Sequence, residues 1–233
     1  NKEPFRLLRT SNHPCSYLQG RSASTIFLDP EIQVTKQINT LFSQRGFRRS
    51  GDLLYKPNCD TCNLCISCRI PINDFTPKKS HHRIIKGNSD LRVVEADNLN
   101  CDESYKLYEL YINNRHKDGD MFPPSKDQFN SFLKKKTDET VFFKFFNKRK
   151  LVSVSVTDIL SDGLSAVYSF YDPFENKRSL GTYSILYQTR SVFERELSYL
   201  YLGYWVKNCR KMDYKLKFRP LQMLNGTQWI TIN

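Results

Sequence analysis

The sequence predicts an α+β protein, with a mixed β-sheet flanked by helices and the chain divided into two lobes. Three features carry this. Three successive strand-like segments between 140 and 171 are separated by hairpin breakers; segments on either side have helical apolar spacing; and a polar stretch at 97–102 separates the halves.

Taken in order, residues 1–30 read as loop and short strand. Asp29-Pro30 opens a helix in which Ile32, Val34, Ile38, Leu41 and Phe42 recur mostly at helical spacing, and Gly46 stops it. Short strands follow at 53–55, ended by Pro57, and at 68–75, where Ile70 and Ile72 alternate with Arg69 and Asn73. A basic stretch at 78–83 leads to a strand at 91–95. Asp97–Asp102 then divides an N-terminal lobe (1–97), which holds the cysteine cluster, from a C-terminal lobe (98–233). There, Tyr105, Leu107, Tyr108, Tyr111 and Ile112 make 104–114 an amphipathic helix, 118–124 is a loop, and 126–133 is a second helix. Strands at 140–146, 151–160 and 164–171 are antiparallel, joined at Asn147-Lys148-Arg149 and Ser161-Asp162-Gly163. A helix at 182–196, a strand at 199–203, a helical segment at 206–212 and a tail complete the chain. This order is that of an N-acetyltransferase-type fold, whose sheet splays where the acyl donor enters. The analogy concerns fold alone.

The 233 residues suffice for a real core, and 39% hydrophobic with 26% charged residues is a globular composition. The net charge of +12 favours a polyanionic partner, nucleic acid or an acidic membrane surface. The 13 Tyr and 16 Phe supply rings for packing or base stacking. No apolar run is long enough to span a bilayer, and Asn1–Thr10 lacks a signal-peptide core. Seven cysteines, an odd number, point away from a disulfide scaffold and toward a reducing, cytoplasmic compartment.

Cys59-x-x-Cys62-x-x-Cys65-x-x-Cys68 is the most specific local spacing. Thiolates so spaced bind zinc or an iron–sulfur cluster, and Cys15 is the natural remote ligand to join Cys59, Cys62 and Cys65. Small buried thiols without metal are the alternative. Residues 177–184, Lys-Arg-Ser-Leu-Gly-Thr-Tyr-Ser, place Lys177, Arg178 and Gly181 at a helix start, where backbone N–H groups and cations bind anions; an ordinary capped turn reads the same way. Lys207, Arg210, Lys211, Lys215 and Arg219 form the densest basic stretch, either a phosphate track or a solvated face. Tyr199–Trp205 is either a buried strand or an aromatic wall around a substrate. No Walker-type loop or nucleophile triad is present.

Several separated motifs in order resemble the bacterial aspartate/glutamate leucyltransferases, relatives of the arginyl-tRNA–protein transferases. They are Cys15-Ser-Tyr-Leu-Gln-Gly-Arg21, Gly46-Phe-Arg-Arg-Ser-Gly51, Tyr55-Lys-Pro57, Arg69-Ile-Pro71, Phe170-Tyr-Asp-Pro173, Ser179-Leu-Gly181, Tyr201-Leu-Gly-Tyr-Trp205, Tyr214-Lys215 and Phe218-Arg-Pro220. Leu18 stands where the eukaryotic branch carries a second cysteine, which favours leucine as the transferred residue. The resemblance implies transfer of leucine from Leu-tRNA to proteins with N-terminal Asp or Glu, with no ATP or required cofactor, because the ester is already activated. In that reading Asp172 binds the amine or relays its proton, and Tyr171 and Tyr204 orient the ester. Arg69 or Arg83, with Arg48 and Arg49 as alternatives, hold the acceptor's carboxylate. Lys177, Arg178, Gly181 and the 207–219 cations face the tRNA. The rivals are arginyl transfer, a non-catalytic tRNA-binding metal or redox sensor, and, ranked last, a coenzyme A acetyltransferase.

Overall fold

A computed structural model describes residues 5–117, 119, 121–134 and 139–233; part of the loop expected at 118–124 lies outside them. In chain order the elements begin with strands β1 (Leu7–Arg9), β2 (His13–Pro14), β3 (Ser22–Ala23) and β4 (Thr25–Leu28). Helix α1 (Lys36–Gln44), β5 (Arg48–Ser50), β6 (Leu53–Pro57) and β7 (Cys65–Pro71) follow. Next come α2 (Lys79–Lys86), β8 (Arg92–Ala96), α3 (Asp102–Arg115) and α4 (Lys126–Gln128), which continues as a wider turn over Phe129–Lys134. The chain ends with β9 (Thr140–Asn147), β10 (Lys150–Ile159), β11 (Gly163–Tyr171), α5 (Leu180–Glu194), β12 (Tyr199–Val206), a 3-10 segment (Arg210–Lys217), β13 (Leu221–Asn225) and β14 (Gln228–Ile232).

The main sheet runs β14-β13-β7-β12-β11-β10-β9-β8, and among the described residues its one parallel pair is β11 with β12. β7 and β8, both before residue 97, belong to this sheet, so the division at 97 falls within its chain order. A smaller sheet, β1-β4-β6-β5, packs with α1 around Leu28, Phe42, Phe47 and Leu54. Ser153 and Thr157 on β10 face α5, where their hydroxyls meet Ser184 Oγ and Gln188 Oε1. Val154, Val156 and Asp158 point the other way. The two valines pack with α3's Leu107, Tyr108, Tyr111 and Ile112, and Asp158 takes Arg49 of the small sheet. α5 therefore covers one face, while α3 and the small sheet share the other. This arrangement leaves the β11/β12 junction flanked by both.

Several elements differ from expectation. The first helix starts at Lys36 because the Asp29 carboxylate closes a local turn on Glu31 N (3.0 Å), and the Thr35 hydroxyl caps Ile38 N (3.2 Å). The strand expected at 68–75 begins at Cys65 and ends at Pro71, followed by a 3-10 turn at Ile72–Asp74. The basic stretch 78–83 is the first part of α2, anchored where the His81 ring stacks on Phe218 at 5.3 Å. The helical segment expected at 206–212 is instead the 3-10 segment, and the tail is the β13–β14 hairpin.

Candidate active site

β11 and β12 pair in parallel over Gly163–Ser165 and Tyr199–Tyr201 only, then part. Gly163 permits the initial contact, since a Cβ there would overlap the Tyr199 carbonyl. Where the strands diverge, each carries an extra residue against its other neighbour: Val167 on β11 against β10, and Leu202 on β12 against β7. Bulging and divergence free backbone carbonyls on both sides of the gap, and buried carbonyls require donors.

Two cations supply them. Arg48 reaches from β5 to donate to the carbonyls of Ala166 (2.7 Å) and Val167. Its guanidinium lies so close to Gly203 (φ 72°) that any Cβ there would overlap it. From the 3-10 segment, Lys215 Nζ donates to the Tyr204 carbonyl, with the residue 2% exposed. Among the described residues neither cation has a carboxylate partner. Burial, first, pushes the Lys215 ammonium down to about 8; the Cys68 thiol opposes this and Arg48 reinforces it. Two neighbouring positive charges, one buried and one half-buried, are unfavourable without an anion, which a ligand could bring.

Lys215 also makes stability depend on pH. Its folded pKa lies below the unfolded value, so between pH 8 and 10.5 the unfolded state binds more protons and stability rises with pH. Relative to Lys215→Met, the wild type should gain about 3 kcal/mol across that window in denaturant unfolding. A flat difference would mean that Lys215 is not held as described.

Tyrosines line the junction. Tyr111 of α3 packs on Tyr171 at 4.8 Å. Its hydroxyl is driven up first by burial, then by Tyr171, Tyr168 and Tyr214. Tyr214 is 41% exposed as a residue, yet its hydroxyl end is enclosed and pushed up to about 12, beside Arg48, Cys68 and Tyr171. Burial drives the Tyr168 hydroxyl up as well. These groups stay protonated at neutral pH, so they can donate hydrogen bonds and do not act as bases.

The other expected site residues are placed elsewhere or already engaged. Tyr204 donates its hydroxyl to the carbonyls of Gly46 (2.8 Å) and Tyr55 (3.1 Å), tying the small sheet to β12. One Asp172 oxygen accepts from Phe174 N (2.9 Å) and the other pairs with Lys150 Nζ (2.6 Å). Each oxygen keeps a free lone pair, so what limits amine binding or proton relay by Asp172 is the burial of its carboxylate, 2% exposed. Arg69 is boxed against Tyr199 (3.5 Å) and Trp229 (4.2 Å), donating to Gln222 Oε1 and the Tyr201 hydroxyl. Arg49 is locked bidentate on buried Asp158. Arg83 is exposed on α2, away from the junction. Arg178 is held by Asp90 and Glu175. Gly181 faces the Tyr171 ring. Lys177, Lys207, Arg210 and Lys211 are exposed, and Arg219 donates to the Leu216 carbonyl (2.9 Å). Tyr111, Tyr168 and Tyr214 are not singled out as site residues by sequence: the helical and strand periodicities that hold Tyr111 and Tyr168 read equally as core, and Tyr214 falls in the expected tail.

The cysteine run adjoins the two cations: Cys209 neighbours both Cys65 and Lys215, and Cys65 and Arg48 both neighbour Tyr17. Burial, then Cys15, Cys59, Cys62 and Cys209, push the Cys65 thiol up to about 12, so these side chains share one neighbourhood. Cys68 lies apart, its thiol 3.4 Å from the Gly203 carbonyl. Among the described residues no group of three or more His, Cys, Asp or Glu is arranged to hold a metal ion. A cavity of about 320 Å³ runs along Cys59–Asn63, and one of about 280 Å³ opens among Leu99, Cys101, Tyr105, Lys126 and Phe129. No helix among the described residues is long and apolar enough to cross a membrane.

Comparison with known proteins separates the chemistries this junction could serve. The model for the C-terminal part of arginine-tRNA–protein transferases matches residues 103–225, and the model for their N-terminal part matches residues 13–83. The chain belongs to the arginine-tRNA–protein transferase family. It is 47% identical over 229 residues to the aspartate/glutamate leucyltransferase of Pseudomonas fluorescens (strain SBW25), covering 98% of this chain and 97% of the relative. It is 49% identical to that of Hahella chejuensis (strain KCTC 2396), covering 96% and 95%. Among solved structures, L-PGS from Bacillus licheniformis has a TM-score of 0.45 at 8% identity, over 60% of this chain and 45% of that one. In this transferase, then, Arg48 and Lys215 fill the splay that the fold-level analogy reserved for an acyl donor.

Proposed function

We propose that this transferase moves leucine from Leu-tRNA to proteins whose N-terminal residue is Asp or Glu, in the cytoplasm. The observation that carries the acceptor half of this reading is the pair of half-buried Arg48 and buried Lys215, neither with an anion among the described residues. An acidic side chain at the acceptor's first position supplies the missing charge, and it lies next to the reacting amine by covalent geometry. Arg48, an alternative at the sequence level, thus replaces Arg69, Arg83 and Arg49 as the leading acceptor residue. Lys215 moves from the tRNA track to the acceptor pocket.

In the reaction, the neutral α-amine attacks the ester carbonyl. A C–N bond forms, the C–O bond to the ribose breaks, and the amine's proton passes to the departing ribose hydroxyl. The donor is already activated, so holding amine and ester together supplies much of the acceleration. The protonated tyrosines around the junction are donors for the developing oxyanion. No step requires ATP, a metal or a redox group.

The donor is tested by incubating the protein with labelled Leu-tRNA or Arg-tRNA and an Asp-initiated peptide. Leucine incorporation well above arginine incorporation is expected. Preferred arginine transfer would overturn the donor assignment, and tRNA binding without transfer of either would overturn the enzymatic one.

A further inference from the structure

We propose that Phe174 is a stacking platform for a base of the bound tRNA, with Lys148, Arg149 and Lys177 holding phosphates around it. The proposal rests on the substrate being an aminoacyl-tRNA, though not on which amino acid it carries. Phe174 is 69% exposed. Its backbone N–H is held by Asp172 Oδ1, and the Asp172 N–H is held by the Val152 carbonyl (2.8 Å). Arg115 donates to the Pro173 carbonyl (3.4 Å) and to Asn176 Oδ1 (2.9 Å). Arg178, tied to Glu175 and Asp90, fixes the far end. The loop is therefore braced on both sides while the ring remains outside the core. A rigid exposed ring loses little entropy on stacking, and any base offers it a π-face.

Charge and position identify the occupant. The Lys150–Asp172 pair brings the β9–β10 turn beside this loop, with Lys148 and Arg149 exposed on the turn and Lys177 exposed further along the loop. The acids of the loop, Asp172 and Glu175, are both paired, which leaves the surroundings net positive. Phe174 stands three residues past Tyr171, and Tyr171 lies in the group that leads through Tyr214 to Arg48. A donor ester delivered to an amine near Arg48 places its next nucleotides within reach of this loop. Phe193 is equally exposed at 70%, but it sits beside the Arg190–Glu194 and Arg195–Glu95 pairs, where charge is balanced. It serves as the control.

The test varies charged tRNA at saturating peptide, and peptide at saturating tRNA. Phe174→Ala should raise KM for the charged tRNA by about 5- to 100-fold, the range for loss of one stacked base, with peptide KM within about twofold. Phe174→Tyr should restore it, and Phe193→Ala should change neither. In direct tRNA binding by anisotropy, Lys177→Ala should lower the salt slope by about one, whereas Phe174→Ala should weaken binding without changing the slope. That binding arm reports on the platform even if the protein transfers nothing. An unchanged tRNA KM and affinity for Phe174→Ala would overturn the proposal. So would a rise confined to peptide KM, which would make the ring a contact for the protein substrate.

Discussion

Arg48→Gln is expected to lower kcat/KM for an Asp-initiated peptide by about 100-fold or more, with far less effect on an Asn-initiated one. Truncating one side of an enclosed charge pair typically costs about 2–5 kcal/mol, and the penalty arises only when the acceptor's carboxylate is present. Glutamine keeps donors near the Ala166 and Val167 carbonyls that Arg48 now caps, so the fold should survive. A melting temperature close to wild type checks this. Equal losses on both peptides would instead make Arg48 a structural plug for the splay.

The second large effect concerns stability. Asp158 is buried and accepts from Arg49 Nε (2.5 Å), Arg49 Nη2 (2.8 Å), Thr140 Oγ1 (2.7 Å) and Asn39 Nδ2 (3.3 Å). These bonds join β5 and α1 of the small sheet to β9 and β10 of the large one. Asp158→Ala leaves the Arg49 charge enclosed and should cost about 3–5 kcal/mol in denaturant unfolding. The double variant Arg49→Met/Asp158→Leu should recover much of that loss, because no charge is then stranded. A loss below about 1 kcal/mol for Asp158→Ala would show that the sheets are held by other contacts. Because β5 also carries Arg48, weakening this joint should reduce transfer as well.

These two adjacent arginines show where sequence reasoning stops. Both stand in one basic motif, yet one ends at a gap in the sheet without an anion and the other on a buried carboxylate 109 positions away. Only tertiary placement separates them. The strands between 140 and 171 were legible because turn residues separate successive strand-like segments, and α5 because its apolar spacing is long. α2 was missed because its sequence is mostly basic and only His81 is buried. The β13–β14 hairpin did have a signal. Gly226-Thr227 form the two-residue loop between the paired Asn225 and Gln228, and Gly226 at φ 61° meets the positive φ required at the first central position of a tight hairpin turn. Asp172 shows the converse. Its place before Pro173 suggests a turn former, the family resemblance suggests a group that binds the amine or relays its proton, and the bonds it makes anchor the loop.

The most direct test of the acceptor pocket is proton-linked calorimetry at pH 8, in buffers of different ionisation enthalpy, comparing Asp- and Asn-initiated peptides. At this pH the Lys215 ammonium is about half ionised. A carboxylate arriving beside it raises its pKa, so the Asp peptide should take up about half a proton more than the Asn peptide, and Lys215→Met should abolish the difference. Equal proton uptake by the two peptides in the wild type would contradict the account.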